Sequence, residues 1–173
     1  VDIIPTWDGN TDDLGRWITK LNRLADRSET IRKQLGLLVP TRLTGSAETW
    51  YYSLSAHTRA RIEVNWDQLR TAIGDYYMNR AYVDKQRARA NKAAYREYSH
   101  NRETPSEYYI RKLELLEMVY NYNAAELINE IMSGAPSQWI SILTPHLYET
   151  LEDFQIAIKF HEDTLIRMSS SNP

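Results

Sequence analysis

Apolar positions recur at intervals of three and four almost from end to end of this chain. No stretch alternates apolar with polar residues as a half-buried strand does. Leu14, Trp17, Ile18, Leu21, Leu24 and Ala25 form the first stripe, and Asn10-Thr11-Asp12-Asp13 before it offers a cap and first-turn acids. Ser28 is placed to cap a second helix carrying Ile31, Leu35 and Leu38, closed by Pro40. Thr44-Gly45 then predicts a turn and Ser46 a helix cap. Ala47, Trp50, Tyr51 and Leu54 follow on one face. The piece 56–63 is ambiguous in this pattern. Asn65 is placed to cap a helix from Trp66 to about Met78, with Leu69, Ile73 and one of Tyr76 and Tyr77 inward.

The second half opens on a basic helix predicted over 84–98, whose apolar face is thin: Ala90, Ala94 and Tyr98. Thr104-Pro105-Ser106-Glu107 is a capping box with Pro at the first helical position. Tyr109, Leu113, Leu116 and Tyr120 continue it at helical spacing. A short helix over 124–132 stops at Gly134, another over 136–143 stops at Pro145, and Thr150-Leu151-Glu152-Asp153 starts a final one through Phe154, Ala157, Ile158 and Leu165. The pattern predicts an all-α protein of eight or nine short helices without a sheet. The polar, basic run near 80–100 is the best boundary between two small helical lobes, 1–82 and 83–173, with a basic interlobe helix or linker at about 83–100.

Composition narrows the function classes. The 173 residues include no Cys, which removes disulfides, thiolate nucleophiles and Cys-based zinc sites and fits a reducing compartment. The four His (His57, His100, His146, His161) have no metal-site spacing. No Gly-x-Ser-x-Gly elbow and no Gly-rich phosphate loop occurs, so the expectation is no enzyme, no cofactor and no small-molecule substrate. No apolar run reaches the roughly 18 residues that cross a bilayer. Val1-Asp2-Ile3-Ile4-Pro5 has neither a signal peptide's basic start nor an initiator Met, so a segment of a longer protein is expected. The only low-complexity run is Ser169-Ser170-Ser171. Net charge is −2, yet residues 80–103 carry seven Lys/Arg against three acids, and residues 104–173 carry four against ten.

Six motifs in order now carry a resemblance. Pro5-Thr6-Trp7-Asp8-Gly9 leads into the helix with Trp17. Leu43-Thr44-Gly45-Ser46-Ala47-Glu48-Thr49-Trp50-Tyr51 follows, then Trp66-Asp67-Gln68-Leu69. Ser106-Glu107-Tyr108, Ile131-Met132-Ser133-Gly134-Ala135-Pro136 and Thr150-Leu151-Glu152-Asp153 with Ala157 complete the series. Together these resemble the capsid region of Gag from gypsy-type long-terminal-repeat retrotransposons, a relative of retroviral capsids. Each motif is a few common helix-building residues; the order over nearly the whole chain is what makes the match.

The resemblance implies a two-lobe capsid fold. Trp7, Trp17, Leu43, Gly45, Ala47, Trp50, Tyr51 and Trp66 would be the N-lobe core signature. It implies a structural protein that assembles with itself into a cytoplasmic virus-like particle packaging the element RNA, with RNA held through regions outside this chain. Thr104 falls where such capsids carry their major homology region, so Glu103 and Arg111, at the matching eight-residue separation, would form its hydrogen-bonded network. Ser99 stands where that network has a Gln, a departure in side-chain length and hydrogen-bonding groups. Read without the resemblance, Glu103 and Arg111 are a first-turn acid and a helix-surface Arg. The C-lobe pairing helix would be 124–132, with Leu127, Glu130 and Ile131 at the dimer interface. The alternative is a domesticated Gag-derived host protein, acting as a peptide-binding adaptor or an RNA-carrying capsid.

Other residues keep open readings. Trp7, Trp17, Trp50 and Trp66 read as core anchors, whereas Trp139 on its short helix reads as core or as facing a partner. Of each pair Tyr51/Tyr52, Tyr76/Tyr77 and Tyr108/Tyr109, one member should point inward and the other remain partly exposed, because adjacent helical residues diverge by about 100°. The basic run 80–103 has three readings: a solvated helix and linker, a contact with the acidic C-lobe of a neighbouring copy, or a nucleic-acid surface.

Overall fold

The computed structural model describes residues 3–170 and is all-helical. Val1 and Asp2 of the opening segment, and Ser171 of the serine run, lie outside the described residues. The chain divides into two compact units between Tyr82 and Val83. Eleven α-helices and two short 3-10 turns are described, more than the eight or nine expected. One addition is the ambiguous 56–63 piece, which is helical because Ser55 caps it through the Thr58 amide.

The first unit contains α1 (Leu14–Ala25), α2 (Glu29–Leu38), a 3-10 turn Val39–Arg42, α3 (Gly45–Ser53), α4 (Ala56–Ile62) and α5 (Trp66–Tyr77). Ser28 and Asn65 cap α2 and α5 as their positions require. Its core is aromatic. Trp7 stacks on Trp17 at 5.3 Å, Trp17 meets Trp66 edge-on at 6.0 Å, and Tyr77 bridges Trp7 to Trp50. A buried indole must still satisfy its N–H. Trp7 donates to the Asn10 carbonyl, Trp17 to the Pro5 carbonyl and Trp66 to the Asn22 side chain, all at 2.8–2.9 Å.

The two glycine turns interlock. Trp7 and Leu43 form an isolated bridge, with the Thr44 amide donating to the Trp7 carbonyl at 2.9 Å. Gly9 has φ +98° and Gly45 φ +55°, a left-handed region open to Gly at little cost. A Cβ on Gly45 would stand 2.9 Å from the Asp8 carbonyl oxygen, and one on Gly9 would strike the Ser46 hydroxyl. This contact corrects the role expected of Ser46. Its hydroxyl donates to the Asp8 carbonyl at 3.2 Å and does not cap α3, whose N-cap is Thr44 with no side-chain bond. At the other end of the unit, Gly36 lets α2 approach the α4–α5 connection. An added Cβ would lie 2.8 Å from the Asn65 amide nitrogen.

The division at Tyr82 falls inside α6 (Arg80–Lys92). The second unit continues through α7 (Pro105–Val119), α8 (Ala124–Ser133), α9 (Trp139–Leu143), a 3-10 turn Pro145–Leu147, α10 (Leu151–Phe160) and α11 (Glu162–Ser170). Three expectations are corrected here. The basic helix ends at Lys92, so Tyr98 lies in a loop at 98% exposure instead of on an apolar face. The final helix breaks at His161 into α10 and α11, because Glu162 turns back to the start of α7, where the Ser106 amide donates to its carboxylate at 3.0 Å. Tyr108 and Tyr109 are both buried. Helix α7 packs against α8, α10 and α11 and so has no single inward face.

The Thr104 capping box closes as expected, with the Glu107 amide donating to Thr104 and the Thr104 amide to Glu107. Asn123 and Glu126 form a second box on α8. Trp139, read either as core or as a partner contact, is fully buried, and its indole donates to Ser169 at 3.1 Å.

Candidate functional site

Of the residues singled out in the second unit, Glu103 and Arg111 meet at the first two turns of α7. Glu103 immediately precedes the Thr104 cap, and Arg111 lies two turns on, so a helix beginning at Pro105 brings the two side chains to one side. The Arg111 guanidinium meets the Glu103 carboxylate in a two-pronged pair, Nε to Oε2 at 2.6 Å and Nη2 to Oε1 at 3.0 Å. Its Nη1 donates to Glu97 at 2.5 Å and its Nη2 also to the Ala94 carbonyl at 2.8 Å. The Glu103 side chain is almost wholly buried. The hydrogen bonds that Arg111 donates to Glu103 raise its pKa further, against the opposing effect of burial. The structure therefore brings Glu103 and Arg111 together in a network, not apart on a helix surface.

Ser99 takes no part in this network. It is exposed and left-handed, with φ +74°. Arg96 adds two further bonds to Glu103, one from its main chain and one from its side chain. The Arg96 amide donates to Glu103 Oε1 at 3.2 Å, and the Arg96 Nε donates to the Glu103 carbonyl at 2.8 Å. Loop 93–104 is thus wound around one carboxylate and one guanidinium.

Sequence reading missed the neighbour of Arg111. Lys112 is fully buried, and its ammonium donates to the carbonyls of Ala90, Asn91 and Ala93 at 2.6, 3.3 and 2.9 Å. These are the open carbonyls at the C-terminal end of α6, where the helix dipole also favours a cation. Burial holds the Lys112 pKa below the ordinary lysine value. The signal was present in the chain: Tyr108, Lys112 and Leu116 repeat at i, i+4 and i+8. The stripe read from Tyr109 and Leu113 starts one residue off this axis and joins it only at Leu116.

Glu162 is a second missed contact. Burial would raise its pKa, but the Ser106 amide and the Lys159 ammonium outweigh that and lower it. Glu103, Arg111, Lys112 and Glu162 each bond main-chain groups, while Glu97 and Lys159 pair with side chains. The cluster is suited to fixing a loop and two helix ends. Among the described residues, no group of His, Asp or Glu is placed to hold a metal ion. Nor is any helix long and apolar enough to cross a membrane.

The expected interface residues on α8 separate. Leu127 at 5% exposure and Ile131 at 0% are part of the unit's own core, because α8 turns that face toward α7 and α10. As partner contacts they are corrected. Glu130 is half-exposed, and the outward face of α8 is Ala125, Glu126, Asn129 and Ser133. In the first unit, Trp7, Trp17, Leu43, Ala47, Trp50, Tyr51 and Trp66 are all buried in one cluster, with Gly45 at its turn.

Compared with protein-family models, curated proteins and solved structures, the chain gives no match in any of the three.

Proposed function

We propose that this chain is the shell-building segment of a Gag-like capsid protein from a long-terminal-repeat retrotransposon. It would assemble with copies of itself in the cytoplasm around the element RNA. The observation that supports this most is the Glu103–Arg111 pair, which joins loop 93–104 to α7 at the positions that the resemblance assigned to such a pair. The two compact helical units and the Trp cluster of the first support it further. The reading does not call for a catalytic group. A shell requires rigid units that present modest outward surfaces, since many weak contacts around a closed lattice add up to a stable particle.

The outward face of α8 is the pairing surface in this reading. Sedimentation velocity over a wide concentration range tests it. The chain should pass from monomer to dimer and larger species as concentration rises. Asn129→Arg on the outer face should weaken dimerisation about tenfold or more, equivalent to about 1.4 kcal/mol. A chain that stays monomeric at the highest concentration reached counts against the proposal.

A further inference from the structure

The exposed side of α6 carries two unlike edges. Lys85, Arg89 and Lys92 stand at i, i+4 and i+7 and share one edge. Arg87 and Asn91, at i and i+4, share the other. Ala88 lies between them with Asp84 one turn before it, so the strip is low beside Arg89, Asn91 and Lys92 and acidic only at its N-terminal end. Asp84 is the single acid on this helix.

The second edge is covered by aromatic rings from a distant part of the chain. Tyr120 and Tyr122 flank Asn121 in the extended link between α7 and α8, where alternate residues point the same way. Their rings stack at 4.5 Å with only 12° between planes. The Arg87 guanidinium lies 5.1 Å over Tyr120 and donates to the Val119 carbonyl, and Asn91 exchanges hydrogen bonds with the Tyr120 hydroxyl at 3.0 and 3.2 Å. A planar Tyr stack, half-exposed and packed at its base on the unit's core, is therefore fastened on the edge of α6 across from a row of cations.

We infer that this surface binds single-stranded nucleic acid, with phosphates along Lys85, Arg89 and Lys92 and a base on the Tyr120–Tyr122 stack. The helix is about 10 Å across, within the reach between a nucleotide's phosphate and a neighbouring base. Every base has a flat face to offer, so such a platform is tolerant of sequence. An acidic protein segment would use the cations but has no need of a flat ring stack. Glu126 and Glu130 bear on Tyr122 from α8 and would repel phosphate from that side, which confines the backbone to the lysine edge. The inference does not depend on shell assembly: a monomer would bind equally well.

Fluorescence anisotropy with labelled 20-nucleotide oligouridine and oligothymidine tests it, titrated from about 50 to 200 mM salt. The wild-type chain should bind both, with affinity falling as salt rises, by roughly 0.7 in log–log slope for each phosphate neutralised. The triple variant Lys85→Ala, Arg89→Ala, Lys92→Ala should bind more weakly and with a shallower slope. Tyr122→Leu should weaken binding about fivefold or more while leaving the slope unchanged. If Tyr122→Leu alters the melting temperature, Arg87→Lys, which keeps the charge and loses the flat guanidinium, replaces it with the same expectation. Binding that is unmoved by the ring-stack variants overturns the inference. So does poly-glutamate that competes as well as oligouridine of equal charge. Binding of oligothymidine alone would also overturn it, because the stack does not read the sugar.

Discussion

The two units of this chain solve the same problem with different materials. Each must hold a long non-helical segment against short helices. The first unit does so with bulky aromatic rings and close backbone approach: residues 3–13 are anchored by Trp7, and the Gly9 and Gly45 turns interlock. The second does so with buried ions: loop 93–104 is wound around Glu103 and Arg111, and α6 is held at its end by Lys112. Aromatic cores gain from burial and tolerate solvent changes. Buried ions are neutral or costly as a complete set and strongly destabilising when one partner is removed. The comparison predicts that the second unit is the more fragile to single polar substitutions and the more sensitive to pH.

The sharpest break is Arg111→Ala. It strands the buried Glu103 carboxylate and should lower the stability of the second unit by about 3–5 kcal/mol. Hydrogen exchange should register the loss in α6–α11 while the amides of α1–α5 keep their protection. Next is Lys112→Met, which keeps the volume but takes the ammonium donor from the carbonyls of Ala90, Asn91 and Ala93 at the end of α6, at a cost of about 1–3 kcal/mol. Lys112 also gives a pH signature. Its folded pKa lies below its unfolded one, so in the window between them the unfolded chain binds more protons and stability rises with pH. Denaturation curves collected on the alkaline side, below the ordinary lysine value, should show this rise in the wild type and lack it in Lys112→Met.

In the first unit the matching pair is glycine. Gly36→Ala forces a methyl onto the Glu63–Asn65 backbone and should destabilise by about 1–3 kcal/mol. Gly74→Ala, inside α5 with nothing within 4 Å of the new methyl, should stabilise by about 0.5–1 kcal/mol. Thermal melts of the two variants should move in opposite directions. The smallest contrast is between serines. Ser28→Ala removes a true cap from α2 and should cost about 1 kcal/mol. Ser46→Ala removes only an exposed hydrogen bond to Asp8 and should cost less than half as much.

Much of the fold was legible because local chemistry and tertiary packing agree. Ser28, Asn65, Thr104 and Thr150 cap the helices that their spacing announced. Failures came where a distant partner changed a local role. Ser46 looks like a cap until the Trp-Asp-Gly turn, 37 residues earlier at Gly9, is laid against it. The single helix expected after Thr150 breaks because Glu162 is claimed by the start of α7. Lys112 reads as solvated charge until the open carbonyls of α6 arrive above it. Leu127 and Ile131 were assigned outward by resemblance, though their burial could have been read from the spacing of Ile128, Ile131 and Met132 on α8. The Tyr120–Tyr122 stack on α6 was out of reach of sequence, since it joins segments about thirty residues apart.

The proposed function rests on self-assembly, and electron microscopy of the concentrated protein tests it most directly. The account predicts closed particles or rings of uniform diameter above a threshold concentration, lost in Asn129→Arg. Isolated monomers at every concentration and salt condition would contradict it.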